Sequence, residues 1–242
     1  MFINQTNSTN DWLKLHPETD VVWTTWQTAG RGQAGNSWES EQGKNVLLSL
    51  RLRNPEVLVH QQFRITMAVS LAVRQVVASL LPEHSVSIKW PNDIYVGDRK
   101  ICGILIENTL SDAHIAESVI GIGLNINQTT WRSSAPNPIS AKQLMGIDYN
   151  LQTISDQLCE TIYDKVSLLN QPETLKAQYL SVLYRFGKKA LYARRVVSTV
   201  PSRILTATPE NAFEATITDI TEQGELVLDD QKYHFKEIQF VL

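Results

Sequence analysis

Val86-Ser87-Ile88-Lys89-Trp90-Pro91-Asn92-Asp93-Ile94-Tyr95-Val96-Gly97-Asp98-Arg99-Lys100-Ile101-Cys102-Gly103-Ile104-Leu105-Ile106-Glu107 carries the pattern that decides the fold. Three short apolar runs, at 86–90, 94–96 and 101–107, are punctuated by turn residues, which predicts consecutive strands. Val96-Gly97-Asp98-Arg99 supplies the hairpin turn between the second and third. Just upstream, Ile65, Val69, Ala72, Val73, Val76 and Leu80 fall on one stripe, so 59–81 reads as a helix that Pro82 ends. Downstream, 118–127 reads as a further strand. Strands beside a long amphipathic helix indicate an α+β domain.

Working outward, 8–15 predicts a short helix with Asn7 or Ser8 as its N-cap and Pro17 beyond its end. Residues 21–28 and 46–51 read as strands, and 29–45 as a polar, glycine-rich loop. Residues 131–138 form a second loop. Two helices are expected at 153–169, opening on a Thr-x-x-Asp box at Thr153, and at 172–185, with Pro172 in the first turn. After Gly187 the pattern changes to short strands at 215–220, 225–228 and 233–240, around the turn Glu222-Gln223-Gly224. That tail, of about 55 residues, is a candidate small β-barrel near the lower size for independent folding.

Composition excludes several classes. The chain has 242 residues, 43% apolar and 19% charged, enough to bury a sizeable core. Lys+Arg 22 against Asp+Glu 25 gives a net charge of −3, with no global pull toward nucleic acid or an anionic membrane. No uninterrupted apolar run approaches the ~18 residues of a membrane span. Residues 1–12 lack the basic and apolar regions of a signal peptide. Cys102 and Cys159 cannot make a disulfide framework or a thiolate zinc site. A cytoplasmic protein is expected, in which the Asn-x-Ser/Thr matches at Asn4, Asn7 and Asn127 carry little weight.

Glycine is scarce, eleven in all, yet eight lie between Gly30 and Gly123. Such clustering marks positions that need positive φ or close approach of a ligand to the main chain. Gly30-Arg31-Gly32-Gln33-Ala34-Gly35 matches G-x-G-x-x-G, but no helix-forming segment follows and no acidic residue stands about 20 positions on, so a Rossmann site is not indicated. Nor is Gly43-Lys44 a phosphate-binding Walker loop. The stretch reads either as an ordinary surface loop with a solvated arginine, or as a loop whose N–H groups and Arg31 close over an anion.

Pro91 fixes φ, so Asn92 and Asp93 point in defined directions. Taken alone, Pro-Asn-Asp is turn chemistry and Lys100 an exposed hairpin lysine. Gathered with an anion-closing loop, Lys89 and Lys100 suit phosphates, and the Asn92–Asp93 pair suits a ribose, a base or a magnesium ion. Gly121 and Gly123 alternate on one strand and bare one face, for a flat ligand or for tight packing.

Together these pieces resemble the biotin protein ligases. Ser8-Thr9-Asn10, Gln27, Gly30-Arg31-Gly32 with Trp38, Lys89 to Asp93, Arg99-Lys100 with Gly103-Ile104-Leu105, and Gly121 to Asn125 occur in that family's order. The resemblance covers the chain from about Asn4 onward. It implies a class II synthetase-like mixed sheet with helices over 1–186 and a small SH3-like β-barrel over 187–242. The implied reaction uses ATP, biotin and Mg²⁺. Biotin is activated as biotinyl-5′-AMP, then passed to a lysine on the biotin carboxyl carrier domain of a biotin-dependent carboxylase.

Carried over by position, Ser8, Thr9, Asn10 and Gln27 would meet biotin, with Gly30, Arg31, Gly32, Gln33, Gly103 and Gly121 around it. Lys100 would contact both the carboxylate and the α-phosphate, and Lys100 and Arg31 would be catalytic. Trp38 would cover the adenine, with Arg31, Lys89, Asn92, Asp93 and Asn125 near the nucleotide; the metal ligands stay open. Gln33 stands where some relatives carry a second arginine, so the hold on the intermediate should be weaker. The helix-turn-helix module of bifunctional relatives is not expected, nor DNA or membrane binding; monomer and homodimer are both open. Two rivals remain: a lipoate or octanoate ligase of related fold, and a non-enzymatic biotin- or nucleotide-sensing module.

Overall fold

The computed structural model describes residues 1–133, 136–195 and 211–241. Its centre is a six-stranded sheet built from β1 (Val21–Thr24), β2 (Val46–Arg53), β3 (Val86–Lys89), β4 (Asp93–Val96), β5 (Arg99–Ser111) and β6 (His114–Leu124), in the order β1-β2-β6-β5-β4-β3. Every ladder is antiparallel. The expected mixed sheet is therefore corrected: parallel pairing is confined to isolated bridges such as Thr6 with Gln27 and Ile88 with Leu183. The cause is connection length, because the tight turns joining β3 through β6 can only reverse the chain. β1 stops at Thr24, short of the expected 28, where the Thr24 hydroxyl accepts from the Trp26 N–H at 3.1 Å and bends the chain.

Alternation gives this sheet two unlike faces. Ile88, Ile94, Cys102, Ile104, Ile120 and Ile122 point into one core with Ile65, Val69, Ala72, Val73 and Val76 of α2 (Phe63–Leu80). The apolar stripe expected from the sequence is thus the stripe that packs. Two further helices, α4 (Leu151–Val166) and α5 (Pro172–Ser181), pack against α2 on that side. On the other face lies α1 (Thr9–Leu15), which touches β1, β2 and β6.

Caps explain where the smaller helices start. The Ser8 hydroxyl accepts from the Asp11 N–H and caps α1. Helix α4 opens on Asn150, which accepts from the Thr153 N–H at 3.1 Å, rather than on the expected Thr153 box. A helix not expected from the sequence, α3 (Ala141–Met145), is held by a reciprocal Ser140–Gln143 capping box and closed by Gly146 at φ 73°.

The C-terminal strands are β7 (Lys189–Arg194), β8 (Ala212–Ile220), β9 (Leu226–Leu228), β10 (Gln231–Tyr233) and β11 (Ile238–Phe240). They form an antiparallel sheet in the order β10-β9-β8-β7-β11. The expected SH3-like barrel over 187–242 is not formed: the sheet is open, and its edge strands β10 and β11 share no ladder. Nor is 233–240 one strand. The His234 N–H bonds the Glu237 carboxylate at 2.7 Å, the Glu237 N–H bonds the His234 carbonyl at 3.1 Å, and Lys236 sits at φ 80°. That turn uses the hydrogen-bonding groups that continuous pairing would need.

Candidate active site

Strand registers bring the chemistry-bearing residues into rows across the face opposite α2. Lys89 pairs with Asp93, Asp93 with Gly103, and Gly103 with Gly123, so four strands place these residues side by side. The next row runs from Leu105 through Gly121 to Ser49, and beyond it Glu107 lies beside Val119. Apart from Lys89 and Asp93, these neighbours are ten or more residues apart in sequence. The hairpins made them neighbours.

One wall of the site is the start of α1. Thr9 donates twice to the Gln27 side-chain oxygen, from its N–H at 2.7 Å and its hydroxyl at 2.9 Å. With that oxygen saturated, Gln27 keeps its amide donors, beside Gly30. Ser49 Oγ lies 2.7 Å from Thr9 Oγ1 and 2.6 Å from Asn10 Oδ1. Asn10 in turn donates to Glu107 at 2.8 Å. Ser8, Thr9, Asn10 and Ser49 are all buried, so this is a fully paired polar wall rather than a solvated helix end.

Glu107 is the hub of a charged cluster. It takes Lys14 at 2.8 Å and Arg31 at 3.0 Å, and Arg31 reaches Asp11 at 2.5 Å as well. Burial alone would push the Glu107 carboxyl upward. The donors Lys14, Asn10 and Arg31 outweigh it and hold the group down at about 2. The same pairing raises the Arg31 guanidinium, Glu107 contributing most. Sequence reading missed Glu107 and Ser49; each is a single strand residue with no local motif, and only its register puts it in the site.

Lys100 stands at the centre. Its ammonium lies 2.7 Å from Asp93 and 5.6 Å from the Trp38 ring centroid. The glycines explain how Trp38 fits. A Cβ at Gly103 or Gly123 would collide with the indole, and one at Gly30 would lie 2.7 Å from the Trp38 carbonyl oxygen. At Gly121 a Cβ would strike the Asn10 carboxamide. The strand face expected to be bare is therefore covered in this structure, by Trp38 over Gly103 and Gly123 and by Asn10 over Gly121. Trp38 Nε1 is buried there with no hydrogen-bond partner, an unfavourable position for an indole N–H.

The remaining candidates divide. Asn92 donates to the Ile104 carbonyl while its own carbonyl accepts from the Ile104 N–H at 3.0 Å, which welds the Pro-Asn-Asp turn to β5. Asn125 donates to the Ile139 carbonyl at 3.2 Å and leaves its own side-chain oxygen buried and unpaired. Gln33 lines a cavity of about 380 Å³ together with Trp90, Asn92, Leu105 and Phe235, and its side-chain oxygen is also unpaired. Gly32 turns the loop back through its N–H, bonded to the Asn36 carbonyl at 2.6 Å. Among the described residues no group of three His, Cys, Asp or Glu side chains could hold a metal ion.

Comparison with known proteins gives a consistent picture. The bifunctional ligase/repressor BirA of Escherichia coli is 34% identical over 166 residues, covering 67% of this chain and 50% of that protein. The BirA of Bacillus subtilis is 37% identical over 112 residues, 46% of this chain and 34% of its own length. The chain thus spans a third to a half of these curated relatives. Among solved structures, the biotin protein ligase from Aquifex aeolicus in complex with biotin and ATP superposes with a TM-score of 0.77 at 19% identity, over 100% of this chain and 98% of that one. A biotin protein ligase-like protein of unknown function from Silicibacter superposes at 0.69 with 12% identity, over 96% and 91%. At such identities the likeness is one of fold. The description of biotin/lipoate A/B protein ligases matches residues 2–125, which hold α1, the glycine loop and all six strands of the main sheet, and the chain belongs to that family.

Proposed function

We propose that this chain is an ATP-dependent ligase that activates biotin as biotinyl-5′-AMP and transfers it to a lysine of a biotin carboxyl carrier domain. The observation that carries the reading is the placement of Lys100, set between Asp93 and Trp38 and beside the Gly103–Gly123 pair. A carboxylate and a triphosphate repel one another, and an ammonium at their meeting point removes that barrier.

In this reading Ser8, Thr9, Asn10 and Gln27 hold the polar head of biotin, with Gly30, Gly32, Gln33, Gly103 and Gly121 lining its place. A biotin carboxylate oxygen attacks the α-phosphorus, and the bond to pyrophosphate breaks. Lys100 stays on the oxygens that gain charge. The carrier lysine's amine then attacks the acyl carbon and AMP leaves. Arg31 steadies the phosphate region after exchanging Asp11 and Glu107 for the ligand. Trp38 leaves the glycine pair with its loop and covers the adenine, while Lys89, Asn92, Asp93 and Asn125 lie on the nucleotide side. Mg²⁺ would come with the phosphates and offset their charge, since Asp93, the carboxylate on the row, is engaged by Lys100.

The proposed setting is the cytoplasm. The described helix long and apolar enough to cross a membrane is α2 with the turn before it, and it is mostly buried against the sheet. The deciding experiment incubates the protein with ATP, Mg²⁺ and a carrier domain, with biotin in one arm and lipoate in the other. Biotin-dependent labelling of the carrier lysine supports the reading; labelling by lipoate alone, or ligand binding without labelling, overturns it.

A further inference from the structure

Lys89 is the cation on the first row that has no carboxylate. Among the described residues it makes no ion pair, because Asp93, its neighbour across the ladder, is bound to Lys100 at 2.7 Å. Its partly buried ammonium lies instead 4.7 Å from the Phe240 ring centroid and 5.2 Å from that of Tyr95. Burial pushes this lysine below its ordinary range, partly offset by Asp93. A half-buried cation without a counter-ion of its own is available to an anion, and two ring faces keep it aimed meanwhile.

One of those rings comes from the C-terminal sheet. Phe240 lies on β11 and is itself wedged by Tyr192, 5.2 Å between centroids, and by Tyr184 at 6.2 Å. The next residue after Lys89 is tied to the same sheet: Trp90 Nε1 donates to the Gly224 carbonyl at 2.8 Å. Gly224 sits at φ 87°, where a side chain would be strained and would also collide with Phe63 of α2. Arg64 of α2 pairs with Glu222 in the same turn at 2.7 Å. The C-terminal segment therefore grips the end of β3 and the residue after it, by the Phe240 ring on Lys89 and the Gly224 carbonyl on Trp90.

We propose that the C-terminal sheet is a positioning element for the nucleotide, in which Phe240 and Trp90 are positioning residues that aim Lys89 at the ATP phosphates. This rests on the ligase reading for the identity of the nucleotide. Neither Phe240 nor Trp90 touches a reacting atom; each acts through Lys89.

The test compares the wild-type chain with Phe240→Leu, Phe240→Trp and Trp90→Phe. ATP binding without biotin is measured by calorimetry, and biotin binding and adenylate formation are measured separately. The expected result is an ATP dissociation constant about tenfold weaker in Phe240→Leu and Trp90→Phe, of the order of one lost cation–ring contact. Biotin affinity should stay within about twofold, and Phe240→Trp should recover ATP affinity because it restores the ring. Unchanged ATP affinity in both variants overturns the proposal. So does parallel loss of ATP affinity, biotin affinity and melting temperature, which marks a packing role only. If wild type binds ATP with the expected variant effects yet forms no adenylate with biotin, the positioning role stands and the ligase reading fails.

Discussion

Arg31 and Glu107, 76 positions apart in sequence, are joined by a two-pronged ion pair, Nη1 lying 3.2 Å from Oε1 and Nη2 3.0 Å from Oε2. The pair ties the glycine loop to β5. Through Asn10, which donates to the same carboxylate, it also ties both to α1. The anion that the loop grips in this structure is the protein's own.

That carboxylate makes stability depend on acid in a defined window. Glu107 is held at about 2 in the folded chain against an ordinary 4.5. Its contribution is therefore complete above the unfolded value and is lost as pH falls from there toward about 2. Glu107→Gln should lower the urea midpoint near neutrality, and the gap to wild type should close progressively in that acid range. Unfolding curves of both proteins at several pH values measure this. A gap of constant size would show that the carboxylate's charge is not what stabilises the cluster.

Lys100→Ala should cut adenylate formation by about 10²–10³-fold, the cost of removing one preorganised cation from developing charge. The melting temperature should change little, because Lys100 is only partly buried and so is its ion-pair partner Asp93. Biotin-dependent exchange of labelled pyrophosphate into ATP reads the first half-reaction. Activity within a few-fold of wild type would move the catalytic role elsewhere.

Much of this site was legible because its pieces are local. The Ser8 cap, the loop at Gly30 to Gly35 and the Lys89 to Asp93 turn are each written in consecutive residues, and the α2 stripe shows itself at helical spacing. What escaped is what depends on register. Ser49 and Glu107 have no motif, and their neighbours across the sheet are fixed only once the hairpins close. For the same reason the glycines at 121 and 123 looked bare, when Asn10 covers the first and Trp38 from a distant loop the second. Helix α3 was missed although Ser140 and Gln143 spell a capping box, because the helix is five residues long and has little periodicity to read. The single strand expected at 233–240 failed on a turn: side-chain bonding at His234 and Glu237 splits what alternation presents as one strand.

Gln33→Arg should slow release of the adenylate. Gln33 lines the cavity beside Asn92 and Leu105 with its side-chain oxygen unpaired, so a longer cationic side chain has space and no partner to displace. A second guanidinium near the phosphate would gain roughly 1 kcal/mol or more from a charge-assisted hydrogen bond, about fivefold in off-rate. Single-turnover release of labelled biotinyl-5′-AMP measures it. Unchanged release would mean that position 33 does not face the phosphate.

Gly121→Ala separates the two ligands. The added methyl would strike the Asn10 carboxamide, which is buried and bonded to Ser49 and Glu107. Asn10 cannot yield without giving up those partners, and Ser49 is also the contact of Thr9. The disturbance therefore runs along the polar wall toward Gln27. It does not run toward Lys89 and Asp93, which sit on the neighbouring row at the far edge of the sheet. Biotin affinity should fall by about tenfold or more, since breaking one buried polar contact costs on the order of 1–3 kcal/mol. ATP affinity should be unchanged. Titrating each ligand alone into the variant measures the split. Equal losses for both would show that the wall and the nucleotide side are one mechanical unit, and no loss for biotin would remove Asn10 from its site.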